Sequence, residues 1–291
     1  MGSKQSKPTG SSAASIYLQN RKFEKNSSGT PAFIPSDSLE FDRYHNQSFL
    51  IKEAFEGNFL PGVKLHQEHG YKLLDVNCGP ATWLFDVATE HPAIDCVGVA
   101  VSKETFPTSV KPPNLSFQVA NVLQGLPFAE ETFDLVQLRQ QVTVFQTKDW
   151  LRVIKEVVRV TKRGGYVQLI EPNVRFLTTD NEANDFMTSL HDMLVRAGAD
   201  PDIYPKIPGY LAAADVHILT QKEVSIPIGW KNKLGELMLA NITQSLISAA
   251  PAAAPALKLD IETYVKMAED TAYRLQASKA SVIWHGFLGK K

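Results

Sequence analysis

From residue 72 onward, short, largely apolar runs alternate with longer stretches whose apolar residues recur every three or four positions. Most of the runs 72–76, 96–101, 115–119, 133–138 and 166–170 lack the strict polar alternation of half-exposed strands. They therefore read as strands covered on both faces. Between them, Trp83, Leu84, Val87 and Ala88 share one face of a helix opening at Pro80. Trp150, Val153, Ile154, Val157 and Val158 share one face of a second, which stops at Lys162-Arg163-Gly164-Gly165. Phe186, Leu190, Met193 and Leu194 mark a third, ending at Gly198. Such alternation implies a parallel sheet with helices on both faces. Ahead of it, Phe41, Tyr44, Phe49, Ile51 and Phe55 predict an amphipathic helix over 39–56, closed by Gly57. Behind it come a Pro/Tyr-rich loop at 201–210, a strand at 223–228 and a helix at 234–248. An Ala/Pro loop or hinge at 249–256 leads to a helix capped by Asp260 and a last strand at 281–288.

Residues 1–37 are rich in Ser, Gly, Lys and Asn and are expected to be a disordered tail. Their opening, Met1-Gly2-Ser3-Lys4-Gln5-Ser6, fits the pattern for acylation of Gly2 once the initiator is removed. Lys4, Lys7, Arg21, Lys22 and Lys25 would supply the basic second signal that a single acyl chain needs. The expected location is cytoplasmic, with peripheral membrane contact through this acylated N-terminus; the alternative is an inert polar tail.

A hydrophobic content of 44%, with 21% charged residues, suits a soluble globular protein with a substantial core. The net charge of −1 carries no bias toward nucleic acid, and no nucleic-acid partner is expected. Cys78 and Cys96 read as reduced thiols rather than a disulfide. No apolar run approaches the ~20 residues of a membrane-spanning helix. The seven histidines show no metal-ligand spacing: His66 and His69 fall in a polar loop and His285 in the last strand. There is no phosphate-binding loop ending in Lys-Ser or Lys-Thr, and no G-x-S-x-G elbow.

The chemistry concentrates where the first strand enters a turn of small residues, Asp75-Val76-Asn77-Cys78-Gly79-Pro80-Ala81-Thr82. A turn of this kind brings backbone N–H groups at a helix start close to a ligand. Four further segments follow in order: Val97-Gly98-Val99-Ala100-Val101, Asn121-Val122-Leu123-Gln124-Gly125, Thr132-Phe133-Asp134-Leu135-Val136 and Lys162-Arg163-Gly164-Gly165-Tyr166. The set resembles the ordered motifs of class I S-adenosylmethionine-dependent methyltransferases. Arg43-Tyr44-x-x-Gln47, Pro112-Pro113-Asn114 and Leu169-Ile170-Glu171-Pro172 look closest to fungal methyltransferases of undefined substrate.

The resemblance implies an α/β, Rossmann-like class I methyltransferase fold with a seven-stranded, mostly parallel sheet and helices on both faces. In it the final strand lies antiparallel beside the fifth. The domain would span 38–291, with substrate-covering elements at about 175–260, and its cofactor would be S-adenosyl-L-methionine. Asp75, Asn77, Gly79 and Pro80 would then lie by the methionine part of the cofactor, the position of Ala100 by the ribose, and Asn121 and Val122 by the adenine. Gln137 and Arg139 would lie where donor and acceptor meet, and Glu171 would serve as a base, a substrate-orienting group or a loop cap. Trp83, Tyr44 and Phe106 are sources of an aromatic wall for the sulfonium, or else plain core. Asn77, Ala81 and Ala100 depart from the pattern, standing where glycine, glycine and an acidic residue are usual. The acceptor of the methyl group, small molecule or protein, is not named by these residues. A catalytically inactive binding or regulatory module of the same fold is the alternative. A nicotinamide-dependent oxidoreductase fits less well, because the turn lacks G-x-G-x-x-G.

Overall fold

The structure, a computed structural model, describes residues 15–24, 32–65, 70–107 and 110–291. The Gly2 acylation pattern with Lys4, Lys7 and Lys25 lies outside them, as do His66 and His69.

Within the segment expected to be disordered, Ile16–Leu18 (β1) and Arg21–Phe23 (β2) form an antiparallel hairpin. Its two turn residues, Gln19 and Asn20, both have positive φ, as the tight turn favoured between twisted strands requires. The hairpin is anchored to the rest of the protein. Phe23 is fully buried, Arg21 pairs with Asp37, and Lys22 pairs with Glu104. Arg21 and Lys22 are thus already engaged by carboxylates, which the reading of a free basic tail did not foresee.

The main body runs α1 (Ser38–Phe55), β3 (Lys72–Val76), α2 (Thr82–Glu90), β4 (Asp95–Ala100), β5 (Leu115–Val119), β6 (Phe133–Arg139), α3 (Trp150–Val160), β7 (Thr161–Pro172), α4 (Asn181–Arg196), α5 (Ile207–Ala212), β8 (His217–Pro227), α6 (Lys233–Ser248), α7 (Ala250–Ala256), α8 (Ile261–Ala277) and β9 (Ser281–Lys290). Seven strands form one sheet in the order β5-β4-β3-β6-β7-β9-β8. Neighbours from β5 to β7 are parallel, and β9 runs antiparallel between β7 and β8. This is the expected topology, with the last strand beside the fifth. One sheet face is covered by α1, α2, α4, α6 and α8 around Leu73, Trp83, Leu190, Tyr264 and Trp284; the other is covered by α3 and α5 around Leu74, Val136, Trp150 and Ile207.

β8 begins at His217, six residues before the expected strand at 223–228, and the expected loop at 201–210 runs into the helix α5 at Ile207; four further boundaries differ from expectation for identifiable reasons. α2 begins at Thr82, because Ala81 holds a left-handed conformation and keeps Pro80 in the turn. Lys162-Arg163-Gly164-Gly165 is not a helix stop but the start of β7: α3 ends at Val160, and the chain enters the sheet directly. At α1 the left-handed cap is Glu56, one residue before Gly57. Most of the 249–256 segment is the helix α7, Ala250–Ala256, whose Pro251 falls in the first turn, where a missing N–H costs little; alanines favour the turn between it and Pro255, which lies inside the helix near its end. Asp260 caps α8 as expected, accepting from the Thr263 N–H.

Candidate functional site

In the turn after β3 every second residue holds a left-handed backbone. Asn77, Gly79 and Ala81 have φ of 56°, 54° and 59°. Two of these three left-handed places, each suited to glycine, carry a side chain, and each non-glycine residue there costs roughly 1 kcal/mol. The turn is tied down on both sides. Cys78 N donates to Val99 O of β4 at 2.9 Å, and Asn77 Nδ2 donates to Gln141 Oε1 at 3.0 Å. Beneath it, a Cβ on Gly98 would stand 2.8–2.9 Å from side-chain atoms of Leu84, Phe117 and Cys78, so β4 approaches this closely only as glycine.

Asp75, one residue before the end of β3, is 4% exposed, and its carboxylate accepts no hydrogen bond among the described residues. Burial raises its pKa to about 7, opposed by the nearby Arg139 guanidinium. Burial likewise lowers Arg139, to about 10, against the pull of Asp75. Arg139 leans toward α1, where Nη2 donates to Ser48 O at 3.3 Å, and its buried Nε has no partner.

Gln137, expected where donor and acceptor meet, lies within β6 and is fully buried. Its Oε1 accepts from Gln168 Nε2 at 2.7 Å, and Gln168 Oε1 accepts from Leu60 N at 2.7 Å. The pair ties the segment after α1 to the sheet. Glu171 is fully buried near the end of β7, and its two oxygens accept from Gln141 N at 2.8 Å and Val142 N at 2.9 Å. Burial pushes its pKa up to about 8 against those two N–H groups. Of the roles considered for Glu171, this geometry is that of a loop cap.

Ala100 closes β4, 4% exposed. Glu104 does not reach back toward it but extends outward to Lys22, its side chain 66% exposed. Asn121 caps a short turn by accepting from Leu123 N at 2.9 Å, and Val122 is buried beside it. Trp83 is core, donating from Nε1 to Asn58 O at 3.1 Å. Phe106 stacks on Phe117 with ring centroids 4.8 Å apart.

Beyond the carboxyl ends of β6 and β7 lies an apolar chamber. Gln140, Val142 and Thr143 of the post-β6 loop form part of its wall, facing Met187 and Leu190 of α4 and Trp284 of β9. At its rim Arg43 is held on three sides: Nε donates to Glu40 Oε1 at 2.6 Å, and Nη1 to Gln47 Oε1 at 2.6 Å and Asn241 Oδ1 at 3.1 Å. Asn241 Nδ2 returns a bond to Arg43 O at 3.1 Å. The guanidinium also sits 4.5 Å over the Tyr44 ring, so Tyr44 belongs to this rim. The sequence reading found Arg43, Tyr44 and Gln47 but missed Asn241, whose only signal is an amide among the apolar residues of α6. The loop at 140–143 is the hinge of the arrangement. Gln141 holds the turn after β3, while its neighbours line the chamber.

Residues 73–165 match the methyltransferase domain family. The N-methyltransferase tcpN of Claviceps purpurea is 28% identical over 200 residues, which is 65% of this chain and 70% of that protein. The N-methyltransferase verN of Clonostachys rogersoniana is 30% identical over 169 residues, 54% of this chain and 58% of verN. Among solved structures, the [4+2]-cyclase SpnF superposes with a TM-score of 0.51 at 16% identity, over 89% of this chain and 98% of its own, a likeness of fold alone. With this matched core, these fungal relatives and this sheet order, the chain has the fold of the class I S-adenosylmethionine-dependent methyltransferases and resembles their methyltransferase domain over residues 73–165.

Proposed function

We propose that the chain transfers the methyl group of S-adenosylmethionine to a small-molecule acceptor held in the chamber beyond β6 and β7. The observation that carries this reading is the 140–143 loop, which contacts the turn after β3 through Gln141 and lines the chamber through Gln140, Val142 and Thr143. A donor at that turn and an acceptor in the chamber would share one wall.

The residues fit such a donor. The left-handed turn Asn77-Cys78-Gly79-Pro80-Ala81 presents backbone rather than bulk, and Asp75 offers a carboxylate free of protein hydrogen bonds to a cationic amino acid moiety. Asn121 and Val122 would meet the adenine. Ala100 supplies no acceptor for the ribose hydroxyls, so the cofactor is expected to bind more weakly than with an acid there. When bound, the cofactor supplies an electrophilic methyl on a sulfonium. What the protein contributes is alignment: Glu171 fixes the loop, Asn77 and Gln141 lock loop to turn, and proximity supplies most of the rate. That tcpN and verN are named N-methyltransferases supports a nitrogen acceptor. Calorimetry with S-adenosylmethionine and S-adenosylhomocysteine tests the reading. Binding of both is expected, and binding of neither would overturn it.

A further inference from the structure

The described wall of the chamber holds no carboxylate, histidine, lysine or cysteine, and Phe, Leu, Ile, Met and Val make up most of it. Its side-chain amides are Gln47, Gln140, Asn173 and Asn241. Three of these have their oxygens taken. Gln47 Oε1 and Asn241 Oδ1 accept from Arg43 Nη1, and Asn173 Oδ1 accepts from Arg175 N at 2.9 Å. The Gln140 carboxamide has no hydrogen-bond partner among the described residues. Nor is it sealed in: Gln140 is half-buried, and its polar atoms, unlike the unpaired Nε2 of Gln137, remain open to solvent.

Gln140 is also held rigidly, and close to the turn after β3. Its φ of 59° is a left-handed conformation that costs a non-glycine residue energy and that clusters at functional sites. Gln140 N donates to Ile170 O at 2.9 Å, and the next two N–H groups donate to Glu171, so the loop cannot relax the strain away. Its neighbour Gln141 accepts from Asn77 of the turn after β3 at 3.0 Å. Thr143 and Ser245 add hydroxyls to the wall, but neither adjoins a residue bonded to that turn.

Resting on the function proposed above, we infer that Gln140 is a catalytic residue: its Oε1 accepts the N–H of a neutral primary or secondary amine and holds that nitrogen against the methyl donor. The N–H is given to Gln140, so the lone pair stays free for the methyl group. The lone pair forms the new N–CH3 bond as the S–CH3 bond breaks, and the S–C electron pair stays on sulfur as a thioether. Positive charge grows on nitrogen meanwhile, and the carbonyl dipole of Gln140 faces it, a contact stronger in the transition state than in the ground state. The resulting ammonium then loses its proton to water. No general base is called for, and the described wall offers none. A tertiary amine has no N–H to give, so methylation ends there without a quaternary product.

The test uses the full chain with S-adenosylhomocysteine at pH 7.5. N-methylaniline and N,N-dimethylaniline, both uncharged at that pH, are titrated by calorimetry. The wild type is expected to bind N-methylaniline about fivefold tighter, the worth of one neutral hydrogen bond. Gln140→Met keeps the length of the side chain and loses the carbonyl, so it should erase that preference by weakening N-methylaniline alone. With glutamine labelled with 13C at Cδ, N-methylaniline should move the Gln140 signal downfield. Equal affinities in the wild type, or a preference that persists in Gln140→Met, overturn the inference. Where the variant fails to fold the wild-type spectrum decides, and N-methylaniline bound with the Gln140 signal unmoved overturns it as well. Bound S-adenosylhomocysteine with no response to either amine sinks the inference alone; failure of S-adenosylhomocysteine to bind sinks the reading beneath it.

Discussion

If S-adenosylmethionine binds at the turn after β3, as proposed, Asp75 should make that binding a proton-linked event. With its pKa raised to about 7 by burial, the free protein at pH 6 carries this carboxyl mostly protonated. A cationic ligand favours the ionised form, so binding expels a proton and affinity climbs with pH until the group is ionised beforehand. From a pKa of about 7, the ionised fraction is about 0.09 at pH 6 and about 0.76 at pH 7.5, an affinity gain of about eightfold, or about 1.2 kcal/mol. The window stops at pH 7.5 because the ligand's own amino group, with a pKa of about 7.7–8.0, is already partly deprotonated there and trims the gain. Calorimetry with S-adenosylmethionine at pH 6, in two buffers of different protonation enthalpy, should report about 0.9 proton released per site. Asp75→Asn should remove the release and flatten the pH profile. Wild-type affinity independent of pH, or an equal slope in Asp75→Asn, would refute the reasoning. For folding the sign is opposite. A carboxyl whose pKa rises on folding contributes stability that is fully present below about pH 4 and is lost as the pH climbs through 7.

Three further predictions follow from other residues. Ala100→Asp should tighten S-adenosylmethionine by roughly ten- to a hundredfold in calorimetry, because Glu104 is committed to Lys22 and no charged acceptor stands at the end of β4. An unchanged affinity would mean that the ribose lies elsewhere. Glu171→Gln should lower stability to urea by about 1–3 kcal/mol, since one of the two backbone N–H groups of Gln141 and Val142 would face an amide N–H; an unaltered midpoint would contradict the loop-cap role. Gly2→Ala should move the protein from the membrane to the soluble fraction in cell fractionation, and equal soluble fractions would end the acylation hypothesis.

The positions of the strands were readable from the hydrophobic pattern, because strands buried on both faces leave mostly apolar runs, as in Leu73–Val76 and Val97–Ala100, whereas their order came from the family resemblance. The turn motif was readable because small residues cluster between Asp75 and Thr82. What stayed hidden depends on distance along the chain. Nothing local tells that Arg43 meets Asn241, that Lys22 meets Glu104, or that Trp284 borders a cavity. Backbone state was equally opaque. Ala81 was legible only as a departure from the usual glycine, yet it holds a left-handed φ of 59° and sets where α2 begins. The Ala/Pro stretch misled by its proline content, although proline in a first turn is compatible with a helix.

The strand order also bears on how the chain reaches this shape during synthesis. β8 joins the sheet only through β9, from which three helices separate it in sequence, so a ribosome-bound chain that has extruded β8 has nothing to pair it with. Through that interval eleven residues of strand, His217–Pro227, present open edges to solvent and to other nascent chains. The half made of β3 to β6 can already close, its pairings spanning shorter stretches of sequence. Mutations that slow the docking of β9 should therefore surface first as poor yield and aggregation on overexpression, and the yield should recover with chaperone supply or lower growth temperature.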